Sequence, residues 1–281
     1  MVGESLTAKG VRHAFITGAN GVGMTDLGAL DGTSSVVTNI NDAGQVVGRS
    51  GDRAFITGPN GEGRLYLPPL PQETSSVATG INNAGQVVGE FRGESASGPY
   101  GLYIHAFITG PGGTGMRDLG APNGAGTSAN AINDAGQVAG ELISSANGAP
   151  PLSFITGPDG MDMTSLGWPD GWWGNHVTDI NDAGQLVGYS FLSLSDLHSG
   201  HSHAYIAGPG GVGMTNLNSY ADLPDGRFLT SAEGINNLGQ VIATISPIPE
   251  PASYALLLAG LGLVGFMARR KRPEENTLER C

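Results

Sequence analysis

Two short phrases alternate along this chain, and their spacing constrains the fold more than any other feature. The first is His13-Ala14-Phe15-Ile16-Thr17-Gly18. It returns as Arg53 to Gly58 and His105 to Gly110, and in weaker form at Ser153 to Gly157 and His203 to Gly208. The second is Ile40-Asn41-Asp42-Ala43-Gly44-Gln45-Val46-Val47-Gly48, which returns from Ile81, Ile132 and Ile180, then degraded from Ile235. The aromatic residue of the first phrase precedes the Ile of the second by 25, 26, 25, 26 and 30 residues. Successive Ile positions are 41, 51, 48 and 55 apart. A period in this range marks a propeller, solenoid or array.

Each phrase reads as half of a four-stranded unit. Ala14-Phe15-Ile16-Thr17 is short, apolar and β-prone, and Gly and Asn behind it supply a turn. A second short strand, such as Met24-Thr25-Asp26-Leu27, completes a hairpin. In the other phrase, Val36 to Ile40 alternates, Asn41-Asp42-Ala43-Gly44 suits a type I turn with Gly in the left-handed region, and Gln45 to Gly48 returns. The abundance of glycine, 47 of 281 residues, fits many short strands joined by turns. Four strands in about 45 residues is the unit of a propeller blade.

The order of the phrases predicts closure. Four blades run intact from one Ile-Asn hairpin to the next His-Ala-Phe hairpin. The leftover hairpins, near residues 11–28 and 228–246, would share a fifth. The expected fold is all-β, a five-bladed β-propeller followed by one C-terminal transmembrane helix. The variable connection after each Gln-Val-Val-Gly places long loops on one face, with Phe91, Tyr100, Tyr103, Phe191 and His198 as its aromatic and imidazole groups. Trp168, Trp172 and Trp173 lie together between Gly167 and Gly174. Indole faces stack on sugar rings, and such a cluster also serves as an apolar plug; both readings stand.

Charge and motif bound the function. The net charge is −12. Arg269 to Cys281 holds five basic and three acidic groups, so the first 268 residues carry −14. An acidic body repels nucleic acid and anionic headgroups. The repeated Asn-Asp pair is a turn former, and no repeat gathers the oxygens a calcium ion needs. No nucleophile elbow, zinc-protease or phosphate-loop pattern occurs. The expectation is a non-catalytic protein without cofactor or metal. A propeller-type glycan hydrolase or lyase is the alternative.

The C-terminus differs in kind. Ser246-Pro247-Ile248-Pro249-Glu250-Pro251 is a semi-extended linker. Residues 252–268 carry no charge, about 25 Å as a helix, enough to enter a bilayer. Arg269, Arg270, Lys271 and Arg272 then hold the end of the chain on the cytoplasmic side. This arrangement resembles the PEP-CTERM sorting signal, whose domain is also labelled an ice-binding protein C-terminus. The resemblance implies Pro249, Glu250 and Pro251 as the recognition element. It also implies anchoring in the inner membrane of a Gram-negative-type bacterium, and an exosortase as processing partner. The repeats of residues 11–246 resemble the HAF family of extracellular repeats, which implies export to the surface or matrix, with exopolysaccharide as a candidate partner. Residues 1–10 read as an N-terminal extension without a signal peptide. The expected start is therefore internal or misassigned, with the signal and further repeats upstream. Residues 247–251, 252–268 and 269–281 read as linker, membrane helix and basic cytoplasmic tail.

Overall fold

The computed structural model describes residues 1–28, 34–94, 102–120, 122, 126–143, 150–168, 171–193, 195–196 and 201–246. Every strand among them belongs to one compact unit, Met1–Asp222 with Phe228–Ile245. A second unit, Leu223–Arg227 with Ser246–Cys281, contributes a 3-10 turn at Pro224–Gly226.

Four four-stranded antiparallel sheets follow one another along the chain. The first blade is β4 (Ser35–Ile40), β5 (Val46–Ser50), β6 (Arg53–Ile56) and β7 (Leu65–Tyr66). The second is β8 (Glu73–Ile81), β9 (Val87–Glu94), β10 (Leu102–Gly110) and β11 (Thr114–Asp118). The third is β12 (Gly126–Ile132), β13 (Val138–Ile143), β14 (Leu152–Ile155) and β15 (Thr164–Ser165). The fourth is β16 (Gly174–Ile180), β17 (Leu186–Phe191), β18 (His203–Ala207) and β19 (Thr215–Asn216). The Ile-Asn phrase forms the first hairpin of each blade and the His-Ala-Phe phrase the second, as the spacing predicts. The first strands β4, β8, β12 and β16 lie side by side and build an inner wall.

The terminal hairpins correct the expectation of a shared fifth blade. They are not hydrogen-bonded into one sheet. β2 (Arg12–Thr17) and β3 (Met24–Gly28) are joined by β1 (Val2–Leu6), and β20 (Leu229–Ile235) pairs with β21 (Val241–Ile245) in a sheet of its own. Val2-Gly3-Glu4, expected as a mere extension, pairs with Ile16, Phe15 and Ala14. Val88-Gly89-Glu90 pairs with Ile108, Phe107 and Ala106 in the same way. β1 therefore occupies the position that β21 would need for closure.

The double Val of the second phrase explains how blades stack. Neighbouring residues on a strand face opposite sides. Val87 belongs to the core shared with the first blade, alongside Val47 and Ile56. Val88 belongs to the core shared with the third, alongside Val138 and Phe154. The pattern continues to the fourth blade through Ala139 and Leu186, and to the last sheet through Val187 and Ala232. Each blade is thus apolar on both faces, and each fully buried Val is worth about 2 kcal/mol.

The closing Gly of the phrase has a steric cause. Each inner strand carries a bulge, at Thr38, Thr79, Asn130 and Thr178, which pushes its backbone toward the neighbouring strand. A Cβ on Gly48, Gly89, Gly140 or Gly188 would collide with the carbonyl oxygen of Val36, Val77, Ser128 or His176. The Thr of the first phrase is equally determined. Thr57, Thr109 and Thr156 are buried, and each hydroxyl accepts the backbone N–H of Val46, Val87 or Val138.

Candidate functional site

The inner wall and its rim carry the densest polar chemistry of the molecule. Within each turn, Asn41, Asn82, Asn133 and Asn181 accept the backbone N–H of the Gln four residues on. Their side-chain amides donate to that Gln and also to the backbone carbonyl of the Asn in the next repeat. A second ladder runs deeper. The bulged Thr38, Thr79, Asn130 and Thr178 donate to the carbonyls of Ala78, Ala129, Val177 and Ala232, at 2.6 to 2.7 Å.

The residue after each Asn forms an exposed rim. The backbone N–H groups of Asp42, Asn83, Asp134 and Asp182 donate to the side chains of Asn83, Asp134, Asp182 and Asn237 in turn. Asn83 also gives its amide to both Asp42 and Asp134, at 2.9 and 3.0 Å, which offsets their like charges. These carboxylates are occupied in linking repeats.

Below the rim the fourth blade departs from the repeat. Asp179 stands where other copies have Asn39, Gly80, Ala131 and Gly234. It accepts N–H groups from Ile180 at 2.8 Å and Ile235 at 2.9 Å, and burial pushes its carboxyl above the ordinary carboxylate range despite those bonds. Deeper still, His176 replaces Val36, Val77 and Ser128, and Tyr189 replaces Arg49, Glu90 and Glu141. His176 Nδ1 lies 2.5 Å from Glu141 Oε1 across the seam between the third and fourth blades. Its ring stacks on Tyr189 at 4.8 Å between centroids and meets Phe191 edge-on. Burial raises the Tyr189 phenol, and Glu141 and Glu233 add to the effect. A carboxylate–imidazole pair beside a phenol can orient a proton donor or acceptor. The pair carries no local sequence motif, because Glu141 and His176 are 35 residues apart. The signal was present as a break in the repeat at two aligned positions.

The tryptophans are not one surface. Trp172 packs on the core between the third and fourth blades and meets Tyr205 edge-on at 6.1 Å. The backbone N–H of Trp173 donates to the Phe191 carbonyl. Trp168 is 41% exposed. The expected aromatic loop face is corrected as well. Phe91 and Phe191 are buried within β9 and β17, and Tyr103 packs against the core of the second blade. Tyr100 and His198 lie outside the described residues.

The recurring His braces its hairpin. His13 bonds Asp26 at 2.9 Å and His105 bonds Asp118 at 2.9 Å, while His203 stacks on Phe228. The His13 bond holds the Asp26 carboxyl below its usual range. Burial lowers the His203 imidazole. Among the described residues, no group of three or more His, Cys, Asp and Glu is arranged to hold a metal ion.

Pro249, Glu250, Pro251, Arg269, Arg270, Lys271 and Arg272 lie outside the described residues, as does the expected membrane segment 252–268. Among the described residues, no helix is long and apolar enough to cross a membrane.

Comparison with known proteins bears on both parts of the chain. No curated protein is similar in sequence. The fold is similar to the β-propeller domain of the Trilobed protease from Pyrococcus furiosus, described as having an open velcro topology. The TM-score is 0.54 at 11% identity, over 88% of this chain and 74% of that one. It is also similar to a putative TolB from Agrobacterium tumefaciens, with TM-score 0.52 and 12% identity over 89% and 91%. An oligogalacturonate lyase in complex with manganese gives TM-score 0.51 and 13% identity over 75% of this chain. The chain spans 60% of that lyase's length, and 40% of an acylaminoacyl peptidase from Pyrococcus horikoshii that it also resembles. At these identities the likeness establishes a β-propeller-like fold and nothing of activity. Residues 247–272 match the PEP-CTERM protein-sorting motif. That motif implies a surface or extracellular protein sorted through an exosortase.

Proposed function

We propose that this is an exported, non-catalytic repeat protein of the cell surface or extracellular matrix, whose propeller-like body binds an exopolysaccharide or another envelope component. The PEP-CTERM motif at residues 247–272 carries the reading. Pro249, Glu250 and Pro251 form the recognition element, residues 252–268 anchor the chain in the inner membrane, and the basic cluster stays cytoplasmic until the exosortase acts. The repeats are of the HAF type, and they stack on one another through the apolar faces of their sheets. The body supports a binding role because its acidic rim groups are tied into repeat-to-repeat links, while Trp168 remains exposed.

A second reading rests on one observation, the Glu141–His176 pair beside Tyr189. It would make the protein a glycan hydrolase or lyase. A glycan array on the purified chain, run with a reducing-sugar assay, separates the two. Saturable binding without turnover supports the binding reading. Turnover abolished by His176→Ala replaces it with the enzyme. Retention of an envelope reporter fusion in the cytoplasm, with an export signal supplied, would remove the sorting reading.

A further inference from the structure

Seven arginines lie among the described residues, and five are engaged. Arg12 pairs with Glu4 at 2.8 Å, and Arg53 lies over the Tyr66 ring at 4.6 Å. Arg64 and Arg117 donate to the carbonyls of Gly28 and Asp159, and Arg227 to that of Pro224. The remaining two, Arg49 and Arg92, make no side-chain hydrogen bond or ion pair among the described residues.

Those two line the same hollow. It has a volume of about 210 Å³ and opens where the first and second blades meet. Arg49 comes from β5 and Arg92 from β9, with Ser75 opposite Arg92 in the register of β8 and β9. Asp52, from the first blade, and Glu90, from the second, also line it. Neither carboxylate approaches either guanidinium within 4.0 Å, so the charges are not spent on each other. The hollow is itself held firmly. Ser76 accepts the backbone N–H of Ala54 at 3.0 Å and donates its own N–H to the Asp52 carbonyl at 2.8 Å.

We infer that this hollow binds an acidic saccharide, with Arg49 and Arg92 taking its anionic group and Ser75, Asp52 and Glu90 taking its hydroxyls. Guanidinium forks bind carboxylate or sulfate oxygens in pairs. A chain of net charge −12 repels polyanions at range, so recognition of an anion needs a local cationic site of this kind. The two carboxylates in the lining disfavour a densely charged ligand such as nucleic acid or a polyphosphate. They suit a molecule with one negative charge among many hydroxyls, since carboxylates only accept hydrogen bonds and hydroxyls donate them. The hollow has room for a single sugar ring rather than a chain segment. This inference rests on the glycan-binding reading above and names its substrate class.

The test is titration of the full chain in mild detergent with alginate oligosaccharides, dextran sulfate oligosaccharides and neutral dextran. Binding of either acidic probe is expected, and which one binds identifies the anion as carboxylate or sulfate. Arg49→Gln or Arg92→Gln should weaken it about tenfold each. The double variant R49K/R92K should lose less than R49Q/R92Q, because charge persists while the fork is lost. Arg12→Gln, at an engaged arginine, should change nothing. Circular dichroism melts of each variant establish that they fold. Unaltered acidic-glycan binding by a folded R49Q/R92Q overturns the site while leaving the function standing. Binding of neutral dextran alone overturns the inference but not the function. No binding to any glycan overturns both.

Discussion

The side-chain amide of Asn82 donates to the backbone carbonyl of Asn133, 51 residues further along the chain, at 3.0 Å. The same atoms make the same bond at each junction, and Asn82 is 3% exposed. Asn82→Ala leaves the carbonyl of Asn133 and the N–H of Gln86 without their partners. The expected cost is about 2 to 3 kcal/mol. Asn236 is exposed, and among the described residues its side chain bonds only within its own turn. Asn236→Ala should cost under about 1 kcal/mol. Urea midpoints of the two variants, measured side by side, check the contrast.

Gly89→Ala places a methyl group against the Val77 carbonyl and within 2.9 Å of the Phe107 ring. Backbone cannot yield there without breaking the bulge. A loss of about 3 kcal/mol or more is expected. Gly10→Ala meets nothing within 4 Å, but its φ of +76° favours glycine, so about 1 kcal/mol is expected. Thermal melts of the two distinguish steric from conformational cost.

Tyr205 should be improvable. Phe55, Phe107 and Phe154 hold the equivalent positions, and all four side chains are fully buried. The Tyr205 hydroxyl makes no hydrogen bond of good geometry, and its nearest polar neighbour, Ser153, already gives its own proton to the Asn175 carbonyl and offers only a weak acceptor. Burial accordingly raises the phenol far above its ordinary range. Tyr205→Phe is expected to stabilise the protein by about 1 kcal/mol, read from the shift in urea midpoint. Any loss of stability would show that the hydroxyl is paired in solution.

Asp179 gives a signed pH dependence. Its folded carboxyl lies above the unfolded value because burial disfavours the charged form. Its contribution is therefore fully present below the ordinary carboxylate range and is lost as pH rises through the raised folded value. The stability of the native protein relative to Asp179→Asn should fall as pH rises from the ordinary carboxylate range, about pH 4, through the raised folded value. A flat difference across that window would contradict the burial.

The tryptophans should separate by readout. Trp172→Ala removes a side chain from a blade-to-blade core and should cost about 3 kcal/mol. Trp168→Ala, at an exposed position, should leave the melting temperature nearly unchanged. If Trp168 contributes to glycan binding, its loss shows in the titration alone.

The strands were legible because strand formation leaves a local, two-residue signature, and five copies of each phrase reinforce it. The direction of side chains at the blade ends was not. Phe91 and Phe191 read as loop aromatics because the strands were expected to stop at Gly89 and Gly188, yet β9 and β17 continue past them into buried registers. The Asn ladder was invisible for another reason. Asn at a turn satisfies its own backbone in any context, so nothing in the phrase announces a partner in the following repeat. Val2-Gly3-Glu4 was readable in principle, since it copies Val88-Gly89-Glu90, but without the preceding turn it offered no phrase to recognise.

Since every junction uses one set of atoms and always passes its donor forward, repeats are interchangeable cassettes. Excising the second blade whole would bring Asn41 to the carbonyl of Asn133 in place of that of Asn82, and the one element lost from the rim would be the Asn83 amide that separates the Asp42 and Asp134 carboxylates. Lengthening or shortening such a chain by complete units therefore keeps the Asn ladder whole and asks at most for an amide in place of a rim carboxylate, whereas a cut within a unit strands half of every ladder it crosses.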